Sequence, residues 1–141
     1  MSGRVDYYEL FERNLGIFTQ KDQERIREAK VMILGLGGMG GALAILLART
    51  GFTNFYLIDP ETYEPSNMNR QVCCFIDTIG KLKVEVVKNE ILRINPEAQV
   101  VADARKLSLQ EIEKLIREWC PDVVAAEADD VAFSAKVIRL A

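Results

Sequence analysis

Glycines and an acid recur at spacings that suit the binding of a phosphorylated nucleotide. Gly35, Gly37 and Gly40 form a G-x-G-x-x-G pattern, with a further glycine at Gly38, directly after a short apolar segment. A glycine at position 37 lets phosphate oxygens approach backbone N–H groups, and a helix that follows would add donors and partial positive charge. Asp59 ends the next apolar segment, where it could accept hydrogen bonds from ribose hydroxyls. The pattern predicts a nucleotide site but leaves NAD, FAD and ATP open.

Two cations downstream favour a nucleoside triphosphate. Arg70 lies in a loop rich in Asn and Ser, and Lys83 lies near the start of a predicted helix. An NAD enzyme needs neither, whereas the β- and γ-phosphates of ATP suit the forked donors of Arg and the point charge of Lys. The alternative is that Arg70 is only solvated and that Lys83 only covers apolar surface.

Composition excludes several other classes. The net charge is −3 and the sequence pI about 5.1, so we expect no direct nucleic-acid binding and no binding to an anionic membrane. No apolar segment is long enough to span a bilayer. Histidine is absent, which excludes Ser-His and Cys-His catalytic pairs within these 141 residues. Cys73, Cys74 and Cys120 lack metal-type spacing, and without a secretory signal at the amino terminus they favour reduced thiols in a cytoplasmic protein.

Strands and helices are predicted to alternate along the chain. The predicted strands cover residues 30–34, 53–58, 99–102 and 122–126, and the predicted helices cover residues 7–18, 19–29, 41–50, 80–94 and 108–120, with a last helix capped by Asp130. This order predicts an α/β, Rossmann-like, doubly wound fold: a mainly parallel sheet with helices on both faces, and amino-terminal helices before the first strand. Ligands of such sheets bind at the carboxyl ends of the strands, which here are residues 35–40, Asp59 and Asp129.

The combined motifs resemble the ThiF/MoeB/HesA family, the relatives of ubiquitin-activating enzymes. They are Gly-Leu-Gly-Gly-x-Gly at 35–40, Asp59, Ser-Asn-x-Asn-Arg-Gln at 66–71, Gly-Lys-x-Lys at 80–83 and Ile-Asn-Pro at 94–96. The resemblance implies ATP-dependent adenylation of a carboxylate, giving an acyl-adenylate and pyrophosphate. The family's usual substrate is the carboxyl-terminal Gly of a ubiquitin-like sulfur-carrier or modifier protein, and a related branch activates a small-molecule or tRNA-borne carboxylate.

The resemblance also implies roles for individual residues. Asp59 would bind the ATP ribose, and Asn67, Arg70 and Lys83 would hold the triphosphate beside the glycine loop. Gln71 is expected to be structural.

Two further residues complete the implied catalytic set of Arg70, Lys83, Asp129 and Arg13. Asp129 would position Mg²⁺ and the attacking group. Arg13 resembles the family's amino-terminal Arg, which reaches across a homodimer to the partner's phosphates. The chain departs from the family's pattern at Ala126, where an Asp is frequent, and at Ser134, where Arg or Lys is common.

Two alternatives stay open at this point. An NAD-dependent oxidoreductase domain would share the glycine loop and Asp59, and a non-catalytic scaffold subunit of an activating enzyme would explain Ala126 and Ser134. Members of the family are usually much longer than 141 residues. We therefore expect residues 1–141 to form one ATP-binding domain, the amino-terminal part of a longer protein.

Overall fold

Four short apolar segments form a parallel sheet. The computed structural model describes residues 5–140. Its strands are β1 (Lys30–Leu34), β2 (Asn54–Ile58), β3 (Gln99–Asp103) and β4 (Val123–Ala126), in the order β3-β2-β1-β4. Every pairing between neighbours is parallel. The chain moves outward from β1 to β2 and β3, then returns to the other side of β1, and this reversal leaves a crevice at the carboxyl ends of β1 and β4.

Helices cover both faces of the sheet, as predicted. They are α1 (Tyr7–Phe11), α2 (Gln20–Glu28), α3 (Gly38–Thr50), α4 (Lys83–Ile94), α5 (Leu109–Trp119) and α6 (Val131–Ile138). Because side chains alternate along a strand, Val31 and Ile33 pack in one core with α3 and α4, while Met32 and Leu34 pack in a second core with α5 and α6. The expected Rossmann-like, doubly wound fold is confirmed.

The prediction of one helix over residues 7–18 was wrong. The segment contains α1, a 3-10 turn at Glu12–Asn14 and a non-helical stretch in which Gly16 has φ of +113°. The Asn14 amide donates to the carbonyl of Thr50 at 2.9 Å, at the carboxyl end of α3. The amino-terminal segment therefore satisfies carbonyl groups that a helix end leaves free, and a continuous helix could not follow the same path.

Other boundaries differ by a few residues. The helix after the glycine loop begins at Gly38 instead of residue 41, because packing of the buried Gly40 and Gly41 overrides the low helix propensity of glycine. The helix predicted from residue 80 begins at Lys83, because Gly80 has φ of +83°. Strand β3 extends one residue further, to Asp103. Within residues 5–140, no helix combines the length and the apolar character that crossing a bilayer requires.

Candidate functional site

The glycine loop connects β1 to α3 at the carboxyl edge of the sheet. Gly35 has φ of +90°, and a Cβ there would lie 2.7 Å from the backbone of Glu127. Gly40 is buried, and a Cβ on it would overlap the carbonyl oxygen of Gly35. Gly37 is the N-cap of α3 and supplies no capping side chain. The first N–H groups of α3 are therefore available to an anion above the loop.

Asp59 fastens this loop to the end of β2. Its carboxylate accepts hydrogen bonds from the backbone N–H of Leu36 at 2.7 Å and of Glu61 at 2.8 Å. The residue is 5% exposed and lies at the pocket wall. Each carboxylate oxygen has a second lone pair, so Asp59 can still accept hydrogen bonds from sugar hydroxyls.

Arg70 lies directly above the glycine loop. Its Cγ is 3.5 Å from the point that a Cβ on Gly38 would occupy. The guanidinium donates to the carbonyl of Ser66 at 2.9 Å and to Oδ1 of Asn69 at 3.1 Å, and the side chain is otherwise exposed. These two hydrogen bonds hold the guanidinium against its own loop, at the wall of the pocket that the glycine loop also lines.

Asn67 organises the loop that carries Arg70. Its Oδ1 accepts the backbone N–H of Glu64 at 2.9 Å, which closes the 3-10 turn Pro65–Asn67. Asn67 is 7% exposed and lines the same pocket. The amide therefore has a structural contact in addition to the phosphate contact that the sequence predicts.

Lys83 brings a buried cation to the pocket. Its side chain is 4% exposed, and its Nζ donates to Oε2 of Glu61 at 2.7 Å. The Glu61 side chain is 63% exposed, so its carboxylate can turn into solvent at low cost. A phosphate could then replace this carboxylate as the partner of Lys83.

These residues share one pocket of about 860 Å³ at the crevice between β1 and β4. The sequence-predicted residues that line it are Gly35, Gly37, Gly38, Asp59, Asn67, Arg70, Lys83 and Asp129. Gly40 lies beneath the loop, so its glycine serves the packing of α3 against β1. The pocket thus unites segments that are separated by up to about a hundred residues.

Arg13 lies elsewhere. It is in the 3-10 turn next to Asn14, which contacts the carboxyl end of α3, whereas the pocket lies at the amino end of that helix. A helix of 13 residues is roughly 20 Å long. Arg13 therefore cannot reach the pocket of its own chain.

Sequence reasoning missed a pair of cations in the pocket wall. Arg105 and Lys106 follow β3 and line the pocket. Arg105 forms a forked pair with Asp103, with Nε–Oδ1 at 2.9 Å and a terminal nitrogen–Oδ2 distance of 2.7 Å. The guanidinium lowers the pKa of the buried Asp103 carboxyl. The available signal was the carboxyl end of the third strand, which converges with the others on the same edge.

Asp129 is the carboxylate that the family resemblance assigns to magnesium. Asp129 follows β4, is exposed and lines the pocket, while Asp130 caps α6 by accepting the N–H of Phe133 at 3.0 Å. Residues 5–140 contain no group of three or more side chains that could enclose a metal. Mg²⁺ usually takes one or two carboxylates together with substrate phosphates, and Asp129 fits that donor set.

The cysteines near the loop are packing groups. Cys73 and Cys74 are buried and free, and Cys74 lies 3.6 Å from the carbonyl oxygen of Glu64. Burial raises the pKa of the Cys73 thiol to about 11. A thiol with this pKa is protonated at neutral pH, which agrees with leaving it out of the catalytic set.

The Glu61–Lys83 pair gives a first prediction. Replacing Glu61 with Gln should lower the melting temperature of the nucleotide-free protein, because the buried Lys83 ammonium loses its counter-ion. The same change should tighten ATP binding by a few fold, since no carboxylate competes with phosphate. Calorimetric titration and thermal unfolding with and without ATP measure both effects. A parallel fall in stability and ATP affinity would contradict an exchange of partners at Lys83.

Comparison with known proteins agrees with this geometry. The model of the ThiF family matches residues 11–141. The tRNA threonylcarbamoyladenosine dehydratase of Bacillus subtilis is 29% identical over 92% of this chain and 50% of its own length. The molybdopterin-synthase adenylyltransferase of Escherichia coli is 35% identical over 82% of this chain and 49% of its own.

Solved structures show the same fold. The tRNA N6-threonylcarbamoyladenosine dehydratase of E. coli in complex with AMP has a TM-score of 0.90 at 27% identity, over 98% of this chain and 56% of that one. Its complex with ATP has a TM-score of 0.87 at the same identity, over 96% and 56%. This chain spans about half the length of the Bacillus subtilis dehydratase and of the Escherichia coli adenylyltransferase. The family match, the motifs and the fold agree, and the chain belongs to the ThiF family.

Proposed function

We propose that this chain is the ATP-binding domain of an enzyme that adenylates a carboxylate. The observation that carries the proposal is the convergence of Arg70 and Lys83, from different segments, on one pocket with the glycine loop. Family membership and the AMP and ATP complexes of a related protein support it. NAD has no terminal triphosphate for Arg70 and Lys83 to contact.

The chemistry needs cations more than it needs a base. A carboxylate that attacks the α-phosphorus of ATP is already ionised at neutral pH, so the absence of histidine is no obstacle. The attack brings two anions together, and Arg70 and Lys83 would offset their repulsion and the charge that develops on the phosphates. Mg²⁺, when bound, would supply further positive charge to the phosphates. Asp129 would hold it, and Asp59 would orient the ribose.

Two classes of carboxylate are candidates. The first is the carboxyl terminus of a ubiquitin-like or sulfur-carrier protein, the family's usual substrate, and the similarity to the molybdopterin-synthase adenylyltransferase supports it. The second is a carboxylate carried by tRNA, and the similarity to the tRNA dehydratases, which extends over more of this chain, supports it. This second class would bring RNA to the pocket despite the net charge of −3.

Pyrophosphate exchange tests the function and separates the substrates. The full-length protein should incorporate labelled pyrophosphate into ATP only when a matching carboxylate is present, either a ubiquitin-like protein ending in Gly-Gly or a tRNA that carries a carboxylate. Binding of ATP without exchange in either case would favour the scaffold alternative. Tight binding of NAD with no binding of ATP would overturn the proposal.

A homodimer would place Arg13 at the pocket of the partner. Exposed apolar side chains follow Arg13 in the chain, with Leu15 44% and Ile17 84% exposed, and others follow Arg70, with Val72 50% and Ile76 83% exposed. Exposed apolar groups of this kind occur at protein interfaces. In a two-fold dimer, the patch near Arg13 would meet the patch near Arg70 twice.

Mixing two inactive variants tests this arrangement. Arg13→Ala and Lys83→Met should each reduce exchange by about 100-fold or more, and their mixture should recover about one quarter of wild-type activity, since half of randomly mixed dimers carry one intact site. The control mixes Arg70→Ala with Lys83→Met. Both of these residues belong to the same pocket, so each site keeps a defect and no recovery is expected. Exchange at the wild-type rate by Arg13→Ala alone would place Arg13 outside the site, and recovery in neither mixture would show that Arg13 does not act across a dimer.

A further inference from the structure

Gln71 lines the pocket with an amide that has no partner at its buried end. The residue is 5% exposed, and its Oε1 makes no hydrogen bond within the part of the chain that the structure describes. Its Nε2 lies 3.9 Å from the point that a Cβ on Gly37 would occupy. The nitrogen end of the amide therefore faces the glycine loop, and the oxygen end lies in the interior.

Packing does not explain an amide at this position. Buried polar groups in folded proteins are nearly always hydrogen-bonded, and an unpaired one costs stability. A methionine has a similar volume and would fill the same space without an unpaired oxygen. Gln23, by contrast, is a buried amide with full use of both ends: its Nε2 donates to the hydroxyl of Tyr7 and its Oε1 accepts from Asn14. The position of Nε2 over the loop is what remains to account for Gln71.

Resting on the proposed ATP site, we infer that Gln71 binds the nucleotide: its Nε2 donates a hydrogen bond to an α-phosphate oxygen held over Gly37. The uncapped amino terminus of α3 offers N–H groups to the same phosphate. When the carboxylate oxygen bonds to the α-phosphorus, the bond to the bridging oxygen breaks, and pyrophosphate leaves with that electron pair. Negative charge grows on the α-phosphate oxygens during this step, so a donor placed there binds the transition state more tightly than ATP.

The phosphate that Gln71 would contact differs from those that the cations Arg70 and Lys83 would contact. Arg70 and Lys83 would contact the β- and γ-phosphates, which AMP lacks. Gln71 would contact a group that AMP and ATP share and adenosine lacks. The ratio of AMP affinity to adenosine affinity therefore reports on Gln71 separately from the cations.

Calorimetric titration of the full-length protein with adenosine, AMP and ATP tests the inference. Gln71→Met should bind AMP roughly tenfold more weakly, with adenosine binding unchanged, because one hydrogen bond to a charged group is lost. Its melting temperature should stay the same or rise, since an unpaired oxygen is removed. Gln23→Met is the matched control: it should melt at a lower temperature and keep the wild-type ratio of AMP to adenosine affinity.

The other outcomes are equally decisive. An unchanged ratio in Gln71→Met would overturn the inference and leave the ATP site standing, as would a loss confined to ATP. A wild-type protein that binds neither AMP nor ATP would remove the ATP site, and with it this role. If Gln71→Met fails to fold, Gln71→Glu keeps the shape and places an anion opposite the phosphate. Gln71→Glu should weaken AMP binding more than adenosine binding. A Gln71→Glu variant that keeps the wild-type ratio of AMP affinity to adenosine affinity would overturn the inference.

Discussion

Replacement of Lys83 by Met should reduce carboxylate-dependent pyrophosphate exchange by about 100- to 1,000-fold, the usual effect of removing one group that stabilises transition-state charge. Met keeps most of the length and volume of the buried side chain but removes the ammonium. The Glu61 carboxylate that it paired is 63% exposed and can be hydrated, so the fold should survive. Exchange kinetics measure the first effect and thermal unfolding the second.

Lys81→Met is the matched control, since Lys81 is exposed and lies two residues earlier in the same motif, outside the pocket wall. It should exchange pyrophosphate at the wild-type rate. Near-wild-type exchange by Lys83→Met would mean that this cation does not meet the triphosphate, and the ATP assignment would lose one of its two supports. Weak ATP binding with unchanged adenosine binding would place the loss at the phosphates.

Replacement of Gly40 by Ala should produce the largest loss of stability among single methyl additions in the glycine loop. The added Cβ would overlap the carbonyl oxygen of Gly35 and lie 3.3 Å from Cβ of Glu127. Backbone must move to relieve the overlap, so α3 would separate from β1. We expect a decrease of about 3 kcal/mol or more in the free energy of unfolding, in the range of severe overpacking. Urea denaturation measures it.

Gly38→Ala should change ATP binding without reducing stability, so it distinguishes effects on the site from effects on the fold. Its Cβ would meet Cγ of Arg70 at 3.5 Å, an ordinary contact, and alanine in the first turn of α3 favours the helix. The variant should be at least as stable as the wild type, while the methyl group at the pocket wall weakens ATP binding. Equal stability of Gly40→Ala and Gly38→Ala would show that α3 does not approach β1 as closely as described.

The sequence by itself determined the fold class and predicted eight of the residues that line the pocket. Alternating apolar residues, glycine positions and the caps at Thr19, Ser108 and Asp130 are local signals, and the strands and the α-helices after residue 18 form near the predicted residues. The carboxyl ends of parallel strands converge on one edge of a sheet, so the strand order alone predicts that Asp59 and Asp129 share this edge. The motifs at 66–71 and 80–83 added Arg70 and Lys83 to the predicted site, and the family match confirms the resemblance drawn from these motifs.

Only the tertiary structure decided which groups contact one another inside that pocket. The pairing of Lys83 with Glu61, the forked pair of Arg105 with Asp103 and the unpaired oxygen of Gln71 depend on side-chain directions and distances between packed elements. Spacing along a chain does not encode these. The distance of Arg13 from its own pocket likewise depends on α3. The amino-terminal segment packs at the carboxyl end of this helix, and the pocket lies at its amino end.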